Sequence, residues 1–177
     1  AETGPARVSR RRGRSDRRHT RGMDDGATTA ERQPGDVDPV HVATAFATVL
    51  DADDLGSLVT MLGDDVVYRI GDAVHRGPDA VVASYRNGSA LARRIFEQVQ
   101  YSHEIVGVVG ERTVRIDFAD DLAARGEHFD HHSIQDVEVG RDGRIVAITD
   151  RPVEGQQAQI DAFMARHGLT RPESPSS

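Results

Sequence analysis

The chain has no cysteine among its 177 residues, so disulfides, thiolate metal sites and cysteine nucleophiles are excluded. It has no lysine either: all 22 basic residues are arginine, a usage bias of the kind a high-GC genome produces and one that carries no chemistry. No apolar run reaches the length of a signal peptide or of an 18-residue membrane span, so nothing predicts export or membrane insertion and a cytoplasmic location is expected. No internal repeat is visible.

What charge there is lies unevenly. Residues 1–35 carry nine arginines against five acids, whereas residues 36–177 carry thirteen against twenty-four. The basic stretch lacks apolar periodicity, and a disordered tail is expected over 1–35, upstream or non-native sequence being the preferred reading over a nucleic-acid arm. The remainder is acidic and repels phosphate backbones, so a nucleic-acid partner is not expected for the domain over 36–170. Residues 171–177 read as a loose terminus.

Within the domain, Asp38 and Pro39 open a helix with Val42, Phe46, Val49 and Leu50 on one face. Leu55, Leu58, Val59 and Leu62 repeat the spacing in a second helix, with Gly63 placed for a left-handed end. A strand follows over 64–70, then a third helix from Gly77-Pro78-Asp79 to about Phe96 and a strand over 99–109. Three further β-runs follow, TVRIDFADD, HFDHHSIQDVEV and RIVAITD, the last two joined by the hairpin signal Asp142-Gly143. Ile160, Phe163, Met164 and His167 give a last helix stopped by Gly168. This order predicts an α+β domain, a curved antiparallel sheet wrapped around the N-terminal helices, with an additional C-terminal helix.

In TVRIDFADD, Val114, Ile116 and Phe118 alternate with Arg115 and Asp117, so two opposite assignments of the sheet faces are open. Carboxylates in mid-strand are disfavoured by propensity. Antiparallel pairing can gather Arg115, Asp117, Asp136 and Asp150 on one face, and this face is expected to be the inner one.

The succession FATVLDADDLGSLVTMLGDDVVYRI, HRGPDAVVASYRNG and DVEVGRDGRIVAITD resembles the nuclear transport factor 2-like superfamily in its SnoaL-like branch, over roughly residues 40–150. The resemblance implies a cone with a deep apolar pocket, no cofactor, and dimerisation through the convex sheet face, where Val114, Ile116 and Phe118 would then stand. Similarity to ketosteroid isomerase maps its three functional positions to Phe46, Ile70 and Asp136, of which only Asp136 keeps its chemistry. Similarity to limonene-epoxide hydrolase maps an Arg-x-Asp to Arg115 and Asp117, the last-strand aspartate to Asp150, and a Tyr-x-Asn to Tyr68 and Ile70, with Ile70 as the departure. On that mapping Asp150 is the base, Asp117 the acid, Arg115 the bridge and Tyr68 a second hydrogen bond to water. Asp136, His132, Ile70 and Phe46 complete the expected substrate-binding set.

The HxDHH cluster over 128–132 does not suit a metal, because adjacent strand residues face opposite sides. His132 shares a face with Asp136 and can pair with a carboxylate as in a dehydratase or cyclase, with His103 nearby. Two classes of function stay open: acid–base chemistry on a small, mostly apolar molecule, epoxide opening by water first and SnoaL-like cyclisation, isomerisation or dehydration second, or plain carriage of such a ligand by a dimer.

Overall fold

The computed structural model describes residues 37–171; the tail expected over 1–35 and the terminus beyond Arg171 lie outside the described residues. Helix α1 (Pro39–Asp51) starts where the Asp38 carboxylate accepts the Val40 N–H at 3.0 Å. Helix α2 (Leu55–Met61) is capped by Asp54, which accepts from the Ser57 N–H at 3.0 Å. Strand β1 (Leu62–Ile70) begins at once, so Gly63 is a strand residue and not a left-handed helix end. Its ideal Cβ would stand 3.3 Å from the Ile145 carbonyl oxygen, and that close approach of strands is the reason for glycine there.

Strand β2 (Ala73–Arg76) is an element the sequence reading missed, a four-residue edge strand turned back on β1. Helix α3 (Pro78–Ile95) is followed by β3 (Gln98–Val108), β4 (Thr113–Ala124), β5 (Glu127–Val139), β6 (Ile145–Arg151) and α4 (Gln156–His167). The strands form one curved, unclosed sheet in the order β2-β1-β6-β5-β4-β3. Every neighbouring pair is antiparallel except β1 with β6, which are parallel because the chain crosses from one side of the sheet to the other between them. Register shifts that leave Val106 of β3 and Val146 of β6 unpaired act as bulges that bend the sheet. The β4–β5 hairpin closes on Arg125 and Gly126, both at positive φ, the twist that suits a two-residue connection.

The core lies between α1, α3 and the concave side of the sheet. Val114 and Ile116 are fully buried and Phe118 is 7% exposed, all packed with Phe46, Val66, Val137 and Ile148. Phe46 meets Phe118 and Tyr85 edge-on, with ring centroids 6.4 and 6.2 Å apart. This reverses the expected faces. The alternating apolar residues of β4 point inward under the helices, since burying each is worth about 1.5–3 kcal/mol. Arg115 and Asp117 consequently point to the other side. The stripe expected to mediate dimerisation is therefore core, and Val114, Ile116 and Phe118 offer no surface to a second copy.

A second apolar cluster lies at the other end of β4 and β5. There α4 lays Ile160, Phe163 and Met164 against Phe96 and Leu122, with Phe129 packed alongside. Among the described residues, no helix is long and apolar enough to cross a membrane.

Candidate functional site

The concave face encloses a cavity of about 610 Å³, within the range of small-molecule sites. Its walls are mostly apolar, drawn from α1, α3, the sheet and the start of α4, and two groups of polar side chains interrupt them.

The first group is built on β1, β5, β6 and α3. Cross-strand register places Ile116, Gln135 and Asp150 in one row, all facing inward. Gln135 is 5% exposed, and its amide nitrogen donates to the Tyr68 hydroxyl at 3.3 Å while its carbonyl accepts from the Tyr85 hydroxyl at 2.9 Å. The two tyrosine rings stack, centroids 5.1 Å apart and planes within 4°. Burial pushes both phenols well above their ordinary pKa, so they stay neutral and act as donors. Tyr85 donates to Gln135 and Gln135 to Tyr68, which holds the Tyr68 hydroxyl in place in the cavity near Asp150.

Asp150 ends this row on β6. Burial raises its carboxyl above the ordinary aspartate value, against the smaller opposing pull of a hydrogen bond from Gln135 and of the His131 charge. A carboxyl whose pKa is raised by burial beside a neutral phenol is the kind of pair acid–base catalysis uses.

The second group lies farther along the same strands. Asp120 and His131 are register partners on β4 and β5, face the cavity, and approach to 3.4 Å. Asp51, at the end of α1, also lines the cavity and is backed by His103 at 2.6 Å.

The structure sorts the expected residues between two faces. Tyr68, Asp150 and Ile70 line the cavity, Ile70 as an apolar wall. Arg115, Asp117 and Asp136 form no part of that wall. Asp136 is 7% exposed because Arg115 grips both its oxygens, at 2.7 and 3.0 Å, and Arg151 donates at 2.9 Å. These bonds, Arg115 first, hold its carboxyl below the ordinary range, so it stays charged. Asp117 pairs with His132 at 3.0 Å, also on that face. The histidine–carboxylate pair foreseen for His132 does form, and His132 is counted with His131 among the residues that line the cavity. Phe46 is core beneath the site and touches Tyr85 rather than the cavity. The expected convergence of Arg115, Asp117 and Asp150 does not occur, because strand alternation separates the first two from the third.

Gln135, Asp120 and Asp51 were not singled out from the sequence as site residues, and His131 was read only as part of the HxDHH cluster. The signal was the alternation itself: with Ile116 and Phe118 inward, Asp120 and, through register, Gln135 and His131 must face the same way.

With the site described, comparisons with known proteins can be set beside it. No protein-family profile matches the sequence, and no curated protein matches it. Solved structures do. A putative SnoaL-like polyketide cyclase from Shewanella putrefaciens superposes with a TM-score of 0.56 at 10% identity, over 71% of this chain and 86% of that one. The chain has the nuclear transport factor 2-like fold. The epoxide hydrolase/cyclase-like enzyme SalBIII of pyran ring formation in the polyether salinomycin gives a TM-score of 0.53 at 10% identity, covering 67% of this chain and 92% of SalBIII. A Mycobacterium tuberculosis protein solved with estradiol-17β-hemisuccinate gives 0.53 at 15% identity, over 68% and 98% of the two chains. Identities this low establish the fold and leave activity to be argued from the site.

Proposed function

We propose that this protein is a cofactor-independent acid–base enzyme of the cyclase, isomerase or dehydratase kind, acting on a small, mostly apolar, oxygenated molecule inside the cone. Asp150 is the group that takes the proton. The Tyr68 hydroxyl, oriented by Gln135 and Tyr85, hydrogen-bonds the substrate oxygen on which negative charge develops. One observation carries the reading: a carboxyl raised by burial shares a mostly apolar cavity with a neutral phenol held in place by Gln135.

Proton abstraction next to a carbonyl needs these two groups and little else. The base must be ionised yet poorly solvated, which makes it reactive, and the developing oxyanion must meet a donor already in place. The SnoaL-like cyclases and the epoxide hydrolase/cyclase-like enzyme among the similar structures support chemistry of this type, and the estradiol hemisuccinate complex supports a mostly apolar ligand. Epoxide opening that uses Asp117 as acid and Arg115 as bridge is not retained, because both side chains point away from the cavity.

The test is exchange of the α-hydrogens of para-acetylbiphenyl in deuterated water, followed by proton NMR. Wild type should accelerate exchange, and Asp150→Asn should lower the rate by about two to four orders of magnitude, the usual worth of a general base. Binding of the ketone without any acceleration would make the protein a carrier and end the enzymatic reading.

A further inference from the structure

The cavity holds a second polar row that the proposed proton transfer does not use. Tyr101 on β3, Asp120 on β4 and His131 on β5 are successive register partners and all three line the cavity. This row lies four residues along β4 and β5 from the row of Ile116, Gln135 and Asp150, which at about 3.3 Å per residue separates the two by about 13 Å of strand. Between them lies the pair of Phe118 and Ser133, an aromatic wall with one small hydroxyl opposite it, and both line the cavity.

The second row is incompletely satisfied. Asp120 and His131 meet only at 3.4 Å, and their side chains are 28% and 29% exposed, which leaves both open to a further partner. The Tyr101 hydroxyl is buried beside Ser89 and has no partner at hydrogen-bonding geometry among the described residues. Buried polar groups without partners are costly and rare in native structures, and in a cavity wall they are places for a ligand's polar atom.

We infer that the Tyr101–Asp120–His131 row is a recognition subsite for a hydroxyl group, so that the substrate is an elongated apolar body with an oxygen function at each end. The inference rests on the proposed acid–base reading for the first end, where Asp150 and Tyr68 take a carbonyl. A hydroxyl suits the second end because it gives and accepts at once: its proton goes to the Asp120 carboxylate, and its oxygen accepts from Tyr101 or from the imidazole. A purely anionic end group is disfavoured beside Asp120, and a purely apolar one would leave the row dry and unpaired.

The experiment compares two rigid probes by isothermal titration: para-acetylbiphenyl, and the same ketone with a hydroxyl at the far para position. Carrying a hydroxyl into an apolar pocket normally weakens binding, so preference for the hydroxylated probe reports a paired subsite. Wild type is expected to bind it about tenfold more tightly than the plain ketone, the equivalent of one to two good hydrogen bonds. Tyr101→Phe and Asp120→Ala should each cut that preference several-fold while the affinity for plain para-acetylbiphenyl stays the same. If wild type binds the plain ketone but shows no preference for the hydroxyl, or if the preference survives both substitutions, the subsite is refuted and the Asp150 reading stands. If neither probe binds, the cavity is not a site for such ligands and both readings fall together.

Discussion

Gln135 and Asp136 are adjacent in β5 and belong to opposite faces of the sheet. Gln135 ties Tyr68 to Tyr85 inside the cavity, while Asp136 is clasped by Arg115 and Arg151 on the other side. Both side chains are almost fully buried, and that similarity conceals different tasks. The glutamine orients a donor next to a carboxyl with a raised pKa. The aspartate anchors three strands through two arginines.

The first prediction follows for Asp136. Its folded pKa is lowered, so the stability it contributes is fully present above the ordinary aspartate value and is lost as pH falls through the folded one. Asp136→Asn should cost about 1–3 kcal/mol at neutral pH. The difference from wild type should shrink below about pH 4, where an unfolded aspartate is itself protonated. Chemical denaturation across that range measures it, and proton exchange at the substrate should be unaffected at temperatures where the variant stays folded.

Asp150 should behave in the opposite sense. Its folded pKa is raised, so its contribution is fully present below the ordinary value and is lost as pH rises through the folded one. At neutral pH the charged carboxylate opposes folding, and Asp150→Asn should melt higher than wild type while losing exchange activity. Wild-type exchange should rise with pH as the base ionises. A variant that is both less stable and fully active would place the carboxylate in a structural role.

Phe118→Glu tests the reversed faces. On an exposed convex surface the change would disperse a dimer and leave a folded monomer. In contact with Phe46 it puts a charge into the core, and the chain should lose cooperative melting altogether, as buried unpaired charges cost several kcal/mol. Circular dichroism melting distinguishes the two outcomes.

Tyr85→Phe removes the donor to the Gln135 carbonyl without opening a cavity. The amide is then free to turn, and the Tyr68 hydroxyl loses its fixed orientation. The exchange rate at saturating ketone should fall about tenfold with little change in KM, the signature of an interaction that matters most in the transition state. An unchanged rate would show that Tyr68 needs no orientation.

Much of the architecture was legible in the chain. The Asp38-Pro39 start, the Asp142-Gly143 hairpin, the third helix and the long strands are local signals, and local chemistry decided them: Gly143 does adopt φ +82° in its turn. Gly63 was misread because the helix-end pattern cannot register the approach of β6 to β1, which is a tertiary fact. Strand β2 was missed because four residues at a sheet edge, three of them exposed, carry almost no apolar pattern. The site was half legible. Tyr68 and Asp150 do line the cavity, but Arg115 and Asp117 were set beside them although Val114, Ile116 and Phe118 have the stronger claim to the inside. Strand alternation offers two faces, and burial of the apolar one outweighs the gathering of charges. Gln135 shows no motif, and His131, seen in the HxDHH cluster only as a poor metal ligand, is placed at the cavity through cross-strand register.

The central claim is that the working carboxyl is Asp150 on the concave face and that Asp117 and Asp136 serve the convex one. A carbon-13 NMR titration of the side-chain carboxyls, assigned with Asp150→Asn and Asp136→Asn, tests it most directly. The account predicts that Asp150 titrates above the ordinary aspartate range, that Asp136 titrates below it, and that a ketone in the cavity perturbs the Asp150 resonance alone. An Asp136 or Asp117 carboxyl that titrates high and responds to the ketone, with Asp150 at its ordinary value and silent, would contradict it.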